Sequence, residues 1–539
     1  MKRDISEFLR LIKRAEKKNI YQQAEKTVRL AVIGKNSVQY IGKALRYLLY
    51  ERYRLNAVIF EGDYDGIEKT LLDDAAEYYA FQPEATVILP DSSVIDIEFY
   101  QKIWSKTLGH IFQSNFVVPN ISVLGNLEMN TIDSRQFQVA AANLELVRQK
   151  PGHVTILDLD GLASRIGKDQ WFDYPAYFST KQGFSLDALE DVCSLIARQI
   201  GAMYGKIKKC LVLDLDHTLW GGVVGDDGWD GIQLDPNDSI GEAYRFFQKY
   251  VLSLKERGVI LAVCSKNELQ TAEEPFIKNR NMVLRLSDIA CFVANWDDKA
   301  ANICTIASRL NIGIDSLVFF DDNPAERELV RSNVPQVEVI DVPEDPAYYA
   351  KALSDSGAFD WLQITQEDLS RSETYRSDQK REQLLSSFVD YEEYLSALEM
   401  EYEIGFLDRR QIPRFTQLIN KTNQFNLRTQ RYTEEEIRQM LEDPQYKLIY
   451  ASLSDKFDQY GLISCVILKG SFIDTWVMSC RVFRRHVEDR VFEFLQEHIK
   501  GNLYGEYLPT AKNAVVKDFY STIGFRKTEK EGVYVYERI

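Results

Sequence analysis

The segment KKCLVLDLDHTLWGGVVGDDG sets two carboxylates, Asp214 and Asp216, at the end of an apolar run, with Thr218 two residues further on. Such a run reads as a buried parallel strand, and open α/β sheets bind ligands at the carboxyl ends of their strands. Carboxylates this close repel one another, so the pair calls for a cation or a shared proton. A hard divalent ion with oxygen ligands, Mg2+ where the substrate carries phosphate, meets that need. Asp214 can then attack phosphorus as a nucleophile, forming an aspartyl-phosphate, while Asp216 protonates the leaving oxygen and later activates water. Taken alone, Asp-x-Asp-x-Thr could also be a chance acidic turn, the less favoured of the two readings.

Three later features extend the pattern. The run VILAV leads into Cys264-Ser265-Lys266-Asn267, whose polar groups, with Thr218, suit the holding of phosphate oxygens. Lys299, in NWDDKAANI, opens a helical stretch and can neutralise both nucleophile and phosphate. The run LVFF ends at Asp321-Asp322, before Asn323-Pro324, and adds carboxylates for a metal. This order of acidic pair, serine, lysine and acidic pair resembles the haloacid dehalogenase (HAD) phosphatase superfamily. The resemblance implies that Asp214 is the nucleophile, Asp216 the acid/base, and Ser265 and Lys299 the phosphate holders. It further implies Mg2+ bound by the Asp214 side chain, the Asp216 carbonyl and Asp322, with Asp321 the less favoured ligand. Superfamily members that enclose small substrates insert a cap domain after the first or second motif. Here only a Gly-rich, hairpin-like stretch from Gly221 to Leu234 fits after the first, so the site is expected to lack a large cap of its own.

The longer string LVLDLDHTLWGGVVGDDGWDGIQL, with CSKN, FFDDNPAERELV, ITQEDLSRSETY, LINKTNQFNLRTQRYT and MSCRV, is similar to the FkbH-like branch of that superfamily. His217 stands where the branch usually has Asn. Characterised members take the glyceryl unit of 1,3-bisphosphoglycerate, remove the remaining phosphate and load the acyl group onto an acyl carrier protein thiol. The resemblance thus implies phosphatase chemistry coupled to acyl transfer. A stand-alone phosphatase acting on a phosphorylated sugar or glycerol intermediate of surface-polysaccharide synthesis is the alternative, and a non-catalytic assembly scaffold is a third reading. Acyl transfer needs a thiol. Cys264, beside Lys266 and the metal site, could hold an acyl group as a thiolate of lowered pKa, or could simply complete an apolar strand. Cys480, in WVMSCRV, is the other candidate, whereas Cys193, Cys210, Cys291, Cys304 and Cys465 read as core.

The elements that must position these groups follow from periodicity. CLVLD, VILAV, ACFVA, LVFF and QVEVI alternate with helical stretches, giving a doubly wound parallel sheet over residues 205–355. The first 204 residues alternate in the same way, with strands expected at Leu30–Ile33, Ala57–Phe60, Ala85–Leu89, Ile121–Leu124 and Val154–Leu157. Before them, Ile5, Phe8, Leu9 and Ile12 fall at amphipathic-helix spacing, and the charged start does not read as a secretory signal. This first domain resembles the SGNH hydrolases, whose nucleophilic serine would fall at Gly34-Lys35-Asn36-Ser37. The matching DxxH histidine is missing from WFDYPAYFS, so a degenerate domain is expected. Residues 356–397 read as a helical connector rich in Arg371, Arg376, Lys380 and Arg381. Residues 398–539 form an α+β domain resembling the GNAT acyltransferases through NAVVKDFYSTIGF, with Asn513, Phe519, Tyr520 and Phe525. Arg484 and His486 occupy positions where that superfamily has glycines around a pyrophosphate. Arg481, Arg484 and Arg485 could instead grip a phosphopantetheine phosphate or an acidic carrier. Asn423, Gln424 and Asn426 form an amide-rich patch suited to binding or to capping.

Composition bounds the rest. With 539 residues, three or four domains are expected at roughly 150 residues each. The net charge of −16 argues against general nucleic-acid binding, and no apolar run is long enough to span a bilayer. Seven cysteines without a CxxC pair suit a reducing cytoplasm. The expected partners are a phosphorylated small molecule and an acyl carrier protein, with a homo-oligomer left open.

Overall fold

The computed structural model describes residues 3–73, 76–364, 369, 381, 384, 388, 390–510, 512–530 and 532–537. Two compact units emerge, Met1–Tyr204 with Thr433–Glu435, and Gly205–Tyr432 with Glu436–Ile539.

The first unit is a five-stranded parallel sheet in the order β2-β1-β3-β4-β5. Its strands are β1 (Lys26–Gly34), β2 (Leu55–Glu61), β3 (Ala85–Leu89), β4 (His110–Ser114) and β5 (Val154–Leu157). Asp4 caps the opening helix Ile5–Lys18 by accepting from the Ser6 N–H, and Phe8, Ile12 and Ala15 form its buried stripe. Four of the five expected strands occur as read. The fourth does not: Ile121–Leu124 is exposed loop, with Val123 96% accessible, and β4 lies earlier, at HIFQS. The polar residues hid that strand. Gln113 and Ser114 are fully buried, and the Gln113 amide oxygen is satisfied by the Trp104 indole N–H at 2.6 Å.

The second unit begins with a parallel sheet in the order β10-β9-β6-β7-β8, in which all five expected apolar runs become strands. They are β6 (Cys210–Leu213), β7 (Ile260–Ser265), β8 (Cys291–Ala294), β9 (Leu317–Phe320) and β10 (Glu338–Val339). Helices cover both faces, so alternate residues feed separate cores. Leu211, Leu213, Leu261 and Val263 pack on one side, and Cys210, Val212, Ala262 and Cys264 on the other. The central position of β6, between β9 and β7, brings the ends of those three strands together.

The rest of this unit is a mixed sheet in the order β11-β12-β13-β14-β15-β17-β16. Its strands are β11 (Glu401–Phe406), β12 (Tyr446–Asp455), β13 (Asp458–Lys469), β14 (Phe472–Met478), β15 (Leu503–Glu506), β16 (Arg526–Lys527) and β17 (Val533–Tyr536). The three long runs expected to be antiparallel are so, as β12, β13 and β14. The parallel pair β14–β15 is joined only at Phe472–Tyr504 and Ile473–Gly505. Beyond that point the strands diverge, and the segment around Asn426 bonds to β14 instead. Most of the expected helical connector, including Arg371, Arg376 and Lys380, lies outside the described residues; Tyr391–Ala397 is a helix capped by Asp390.

Arg381 is buried, and its guanidinium meets the fully buried Asp455 carboxylate in a two-pronged contact, Nε and Nη2 each at 2.7 Å. Removing one partner leaves the other charge desolvated, at a cost of about 3–5 kcal/mol. Arg381→Met should therefore lower the urea midpoint of unfolding markedly, which denaturation followed by circular dichroism would measure.

Candidate active site

The ends of β6, β7 and β9 bring Asp214, Ser265, Asp321 and Asp322 into one crevice. Lys299, at the start of the helix Lys299–Arg309, enters it from below the β8 end; Asp298 caps that helix through the Ala300 and Ala301 N–H groups. The Lys299 ammonium is 3.0 Å from Asp214 Oδ2 and 2.6 Å from Asp321 Oδ2, and all three side chains are nearly inaccessible. Oxygens of Asp214, Asp321 and Asp322 lie within 4.8 Å of one another. Asp214 Oδ1 is buried and accepts no hydrogen bond. One ammonium cannot balance three carboxylates, and an orphaned buried acceptor beside two more is a donor set that fits a hard divalent cation.

The two adjacent aspartates divide the work. Asp321 gives one oxygen to Lys299 and the other to the Asn323 N–H at 2.8 Å. Asp322 uses one oxygen on the Thr218 hydroxyl at 3.2 Å and has its other free of any hydrogen bond within this constellation. This geometry favours Asp322 over Asp321 as the cation ligand, the preference the motif had suggested. Arg327 braces both, donating to the carbonyls of Asp321 at 2.7 Å and Asp322 at 2.6 Å.

Several expected phosphate holders have other duties. Thr218 is fully buried and fixes Asp322, accepting its N–H as well as contacting its carboxylate. Lys266 is paired with Glu326 at 2.6 Å. Asn267 is buried and donates to Asp216 Oδ2 at 2.8 Å. In each case a nearer partner takes the side chain that sequence assigned to phosphate. Ser265 is 2% exposed and its hydroxyl bonds to no other side chain among the described residues, so with Lys299 it remains available for phosphate. Asp216 Oδ1 accepts the Trp220 indole N–H and the Val224 N–H, both at 2.9 Å. Three donors therefore hold this carboxylate.

The stretch after the first motif is a small flap closed by Gly221 and Gln233, which exchange backbone hydrogen bonds, with a short helical piece, Val224–Gly231, between them. Val224, Ile232 and Leu234 anchor it in the core. His217 has φ 53°, a left-handed conformation that His and Asn both tolerate, so His217 in place of Asn leaves the turn intact. Its carbonyl accepts from the Tyr244 hydroxyl at 3.3 Å and the Tyr349 hydroxyl at 3.0 Å. Sequence reading missed Arg327 and these tyrosines. The arginine's place in the helix after Asn323-Pro324 was a usable signal; Tyr349, far along the chain, offered none.

The thiols separate. Cys264 is fully buried among Ala300, Ile303 and Val293, its Sγ toward the Lys299 carbonyl at 3.8 Å, and burial pushes its thiol up. Of the two readings left open for Cys264, its burial agrees with the one in which it completes an apolar strand. Cys480 is partly exposed, lines a cavity and approaches the Asn311 carbonyl at 2.7 Å. Cys193, Cys210, Cys291 and Cys465 are buried as expected, but Cys304 is exposed, on the outer face of its helix.

In the β11–β17 domain, Arg485 is corrected from a ligand contact to a structural cation: it is buried against Tyr460 and lies 3.4 Å from Asp455. Arg484 is exposed, and Arg481 lines the cavity beside Cys480. Arg484 and His486 have φ 62° and 55°, the left-handed backbone shape that glycine favours. Asn426 is buried and braces its own loop, bonding Thr422 and Thr429, while Asn423 and Gln424 line the cavity. In the first unit, Ser37 and Asn36 line a separate cavity of about 400 Å3 with Trp171 and Tyr174. No histidine lines it. His110 opens β4 and His153 precedes β5, at the sheet edge opposite the Gly34–Leu89 strand ends.

Residues 29–95 and 93–200 match the FkbH N-terminal domain family. No curated protein matches the sequence. Among solved structures, the N-terminal part of protein BF1531 from Bacteroides fragilis, which contains a phosphatase domain and was crystallised with Mg, is 37% identical. The match covers 66% of this chain and 99% of that one, with a TM-score of 0.62. This chain belongs to that phosphatase-domain family. The C-terminal domain of glucosamine-fructose-6-phosphate aminotransferase from Francisella tularensis, 12% identical with a TM-score of 0.13 over 64% of this chain and 86% of its own, adds nothing to the fold. The FkbH match and the phosphatase neighbour together support a HAD-type phosphatase. No helix of the described residues is long and apolar enough to cross a membrane.

Burial, followed by the Asp214 charge, pushes the Asp321 carboxyl up to about 7 and the Asp322 carboxyl upward as well. A carboxyl raised above its unfolded value costs the cation-free fold stability as pH climbs from the ordinary carboxylate range toward that raised value. A bound cation offsets the loss. A divalent cation should therefore raise the melting temperature more at about pH 7.5 than at about pH 5, a difference that scanning calorimetry would record.

Proposed function

We propose that the chain is a Mg2+-dependent phosphatase working through an aspartyl-phosphate on Asp214. The observation that carries this reading is the unpartnered, buried Asp214 Oδ1 beside Asp322, with Lys299 on the other oxygen. Asp214, Asp322 and the Asp216 carbonyl would hold the ion, which supplies charge neutralisation for phosphate oxygens. Lys299 and Ser265 orient the phosphoryl group. Asp214 attacks phosphorus as the bond to the leaving oxygen breaks, and Asp216 transfers a proton to that oxygen. Asp216 then takes a proton from the water that attacks the aspartyl-phosphate, regenerating Asp214 and releasing phosphate. Asp216 Oδ2 accepts the Asn267 amide alone among the described residues, so its second lone pair remains for the proton.

The FkbH similarity supports a finer reading, in which a phosphoglyceryl donor such as 1,3-bisphosphoglycerate also passes its acyl group to an acyl carrier protein thiol. Of the two cysteines considered, Cys480 is the one that reaches a cavity. Thiol attack on the acyl phosphate would form the C–S bond, break the C–O bond to phosphate and release inorganic phosphate.

With p-nitrophenyl phosphate and Mg2+, Asp214→Asn should reduce turnover to background, and Asp216→Asn should lower kcat about 10²–10⁴-fold. Turnover untouched by Asp214→Asn would leave only the scaffold reading. Incubation with 1,3-bisphosphoglycerate should add an acyl mass to Cys480 and none to Cys264, by peptide mass spectrometry; no acylated cysteine and no acylated carrier would reduce the function to a simple phosphatase.

A further inference from the structure

The cavity of about 400 Å3 in the first unit takes no part in the phosphatase chemistry. It lies beyond the carboxyl ends of β1 and β3: Asn36 and Ser37 follow Gly34, and the chain from Leu89 to Ser93 runs out of β3. Open parallel sheets take their ligands at that edge. A further wall comes from the stretch Trp171 to Phe184, which contains the helix Tyr174–Thr180. The volume lies within the range of small-molecule sites.

The lining is aromatic and carries few charges. Trp171, Phe172, Tyr174, Tyr177, Phe178 and Phe184 all contribute rings. Trp171 and Phe184 are buried, with ring centres 5.3 Å apart, whereas Phe178 is 71% exposed and Ile121 65%, so the wall stays apolar out to its mouth. The charged groups are half-exposed and already engaged. Asp91 accepts the Ser93 N–H at 2.9 Å, Asp173 caps its helix through the Ala176 N–H at 3.0 Å, and Arg135 reaches Gln138 at 3.4 Å. A charged ligand would shed its water against rings, at a cost that no buried counter-charge in the lining offsets. Gln182 supplies a polar handle. It is 4% exposed, and its Nε2 is buried without an acceptor. The Gln182 side chain makes no other hydrogen bond among the described residues, so a half-turn of the amide can present its N–H to the cavity. A buried amide donor without a partner is costly, and a ligand oxygen that accepts from it removes the cost. Rings packed on rings gain more than their area alone, which favours an aromatic body over an aliphatic chain of equal size.

We propose that this cavity binds a neutral aromatic molecule bearing a hydrogen-bond acceptor, such as an aryl amide or ketone, as a site independent of the phosphatase reading. The probe is 2-naphthamide, titrated calorimetrically into the full-length protein. One saturable site, insensitive to added salt, is expected. The anion 2-naphthoate and the aliphatic octanamide should each bind more weakly. Gln182→Leu should weaken 2-naphthamide binding about three- to tenfold, because the acceptor loses its donor. Phe178→Ala, which removes a ring that is mostly exposed, should weaken it by about two- to tenfold. Loss of fold in the first variant therefore leaves the second as the test. Absence of saturable binding to the unmodified protein, equal affinity for 2-naphthoate or octanamide, or an affinity unchanged in either folded variant would overturn the proposal.

Discussion

Everything at the reaction centre depends on crowding three aspartates around one buried lysine. The sheet order forces this: β6 lies between β9 and β7, so Asp214 and the Asp321-Asp322 pair must leave adjacent strand ends. Lys299 stabilises two of the three carboxylates but leaves Asp214 Oδ1 without a partner. In a dry crevice that deficit of positive charge is a strong attraction for a small cation and, after it, for phosphate. Thr218 and Arg327 serve the same arrangement indirectly, since they fix the acidic pair against its own repulsion.

Much of this was legible in the sequence because parallel strands buried on both faces appear as nearly unbroken apolar runs. CLVLD ends on Asp214, while VILAV and LVFF stop one or two residues short of Ser265 and Asp321, so strand and motif reinforced one another. The failures have local physical causes. β4 was hidden because Gln113 is buried with a polar partner supplied from another element, a compensation no linear pattern reveals. Thr218, Lys266 and Asn267 are expected at phosphate by residue type, and their contacts with Asp322, Glu326 and Asp216, brought close only by folding, could not be read from the sequence. Strand alternation left Cys264 undecided until β7 was seen to turn it toward the helix that begins at Lys299.

The flanking sheets carry cavities and turns of their own. At Arg484 and His486 the chain retains left-handed turns that glycine would adopt without strain, but side chains now stand there. In the first unit a cavity at the strand ends has Ser37 on its wall, while His110 and His153 sit at the far edge of the sheet.

The flap and the acid/base residue share one fastening. Trp220 and Val224, at the base of the Gly221–Leu234 flap, supply two of the three hydrogen bonds that hold the Asp216 carboxylate. Both donors lie within five residues of one another, so this one stretch of backbone sets the orientation of the Asp216 carboxylate.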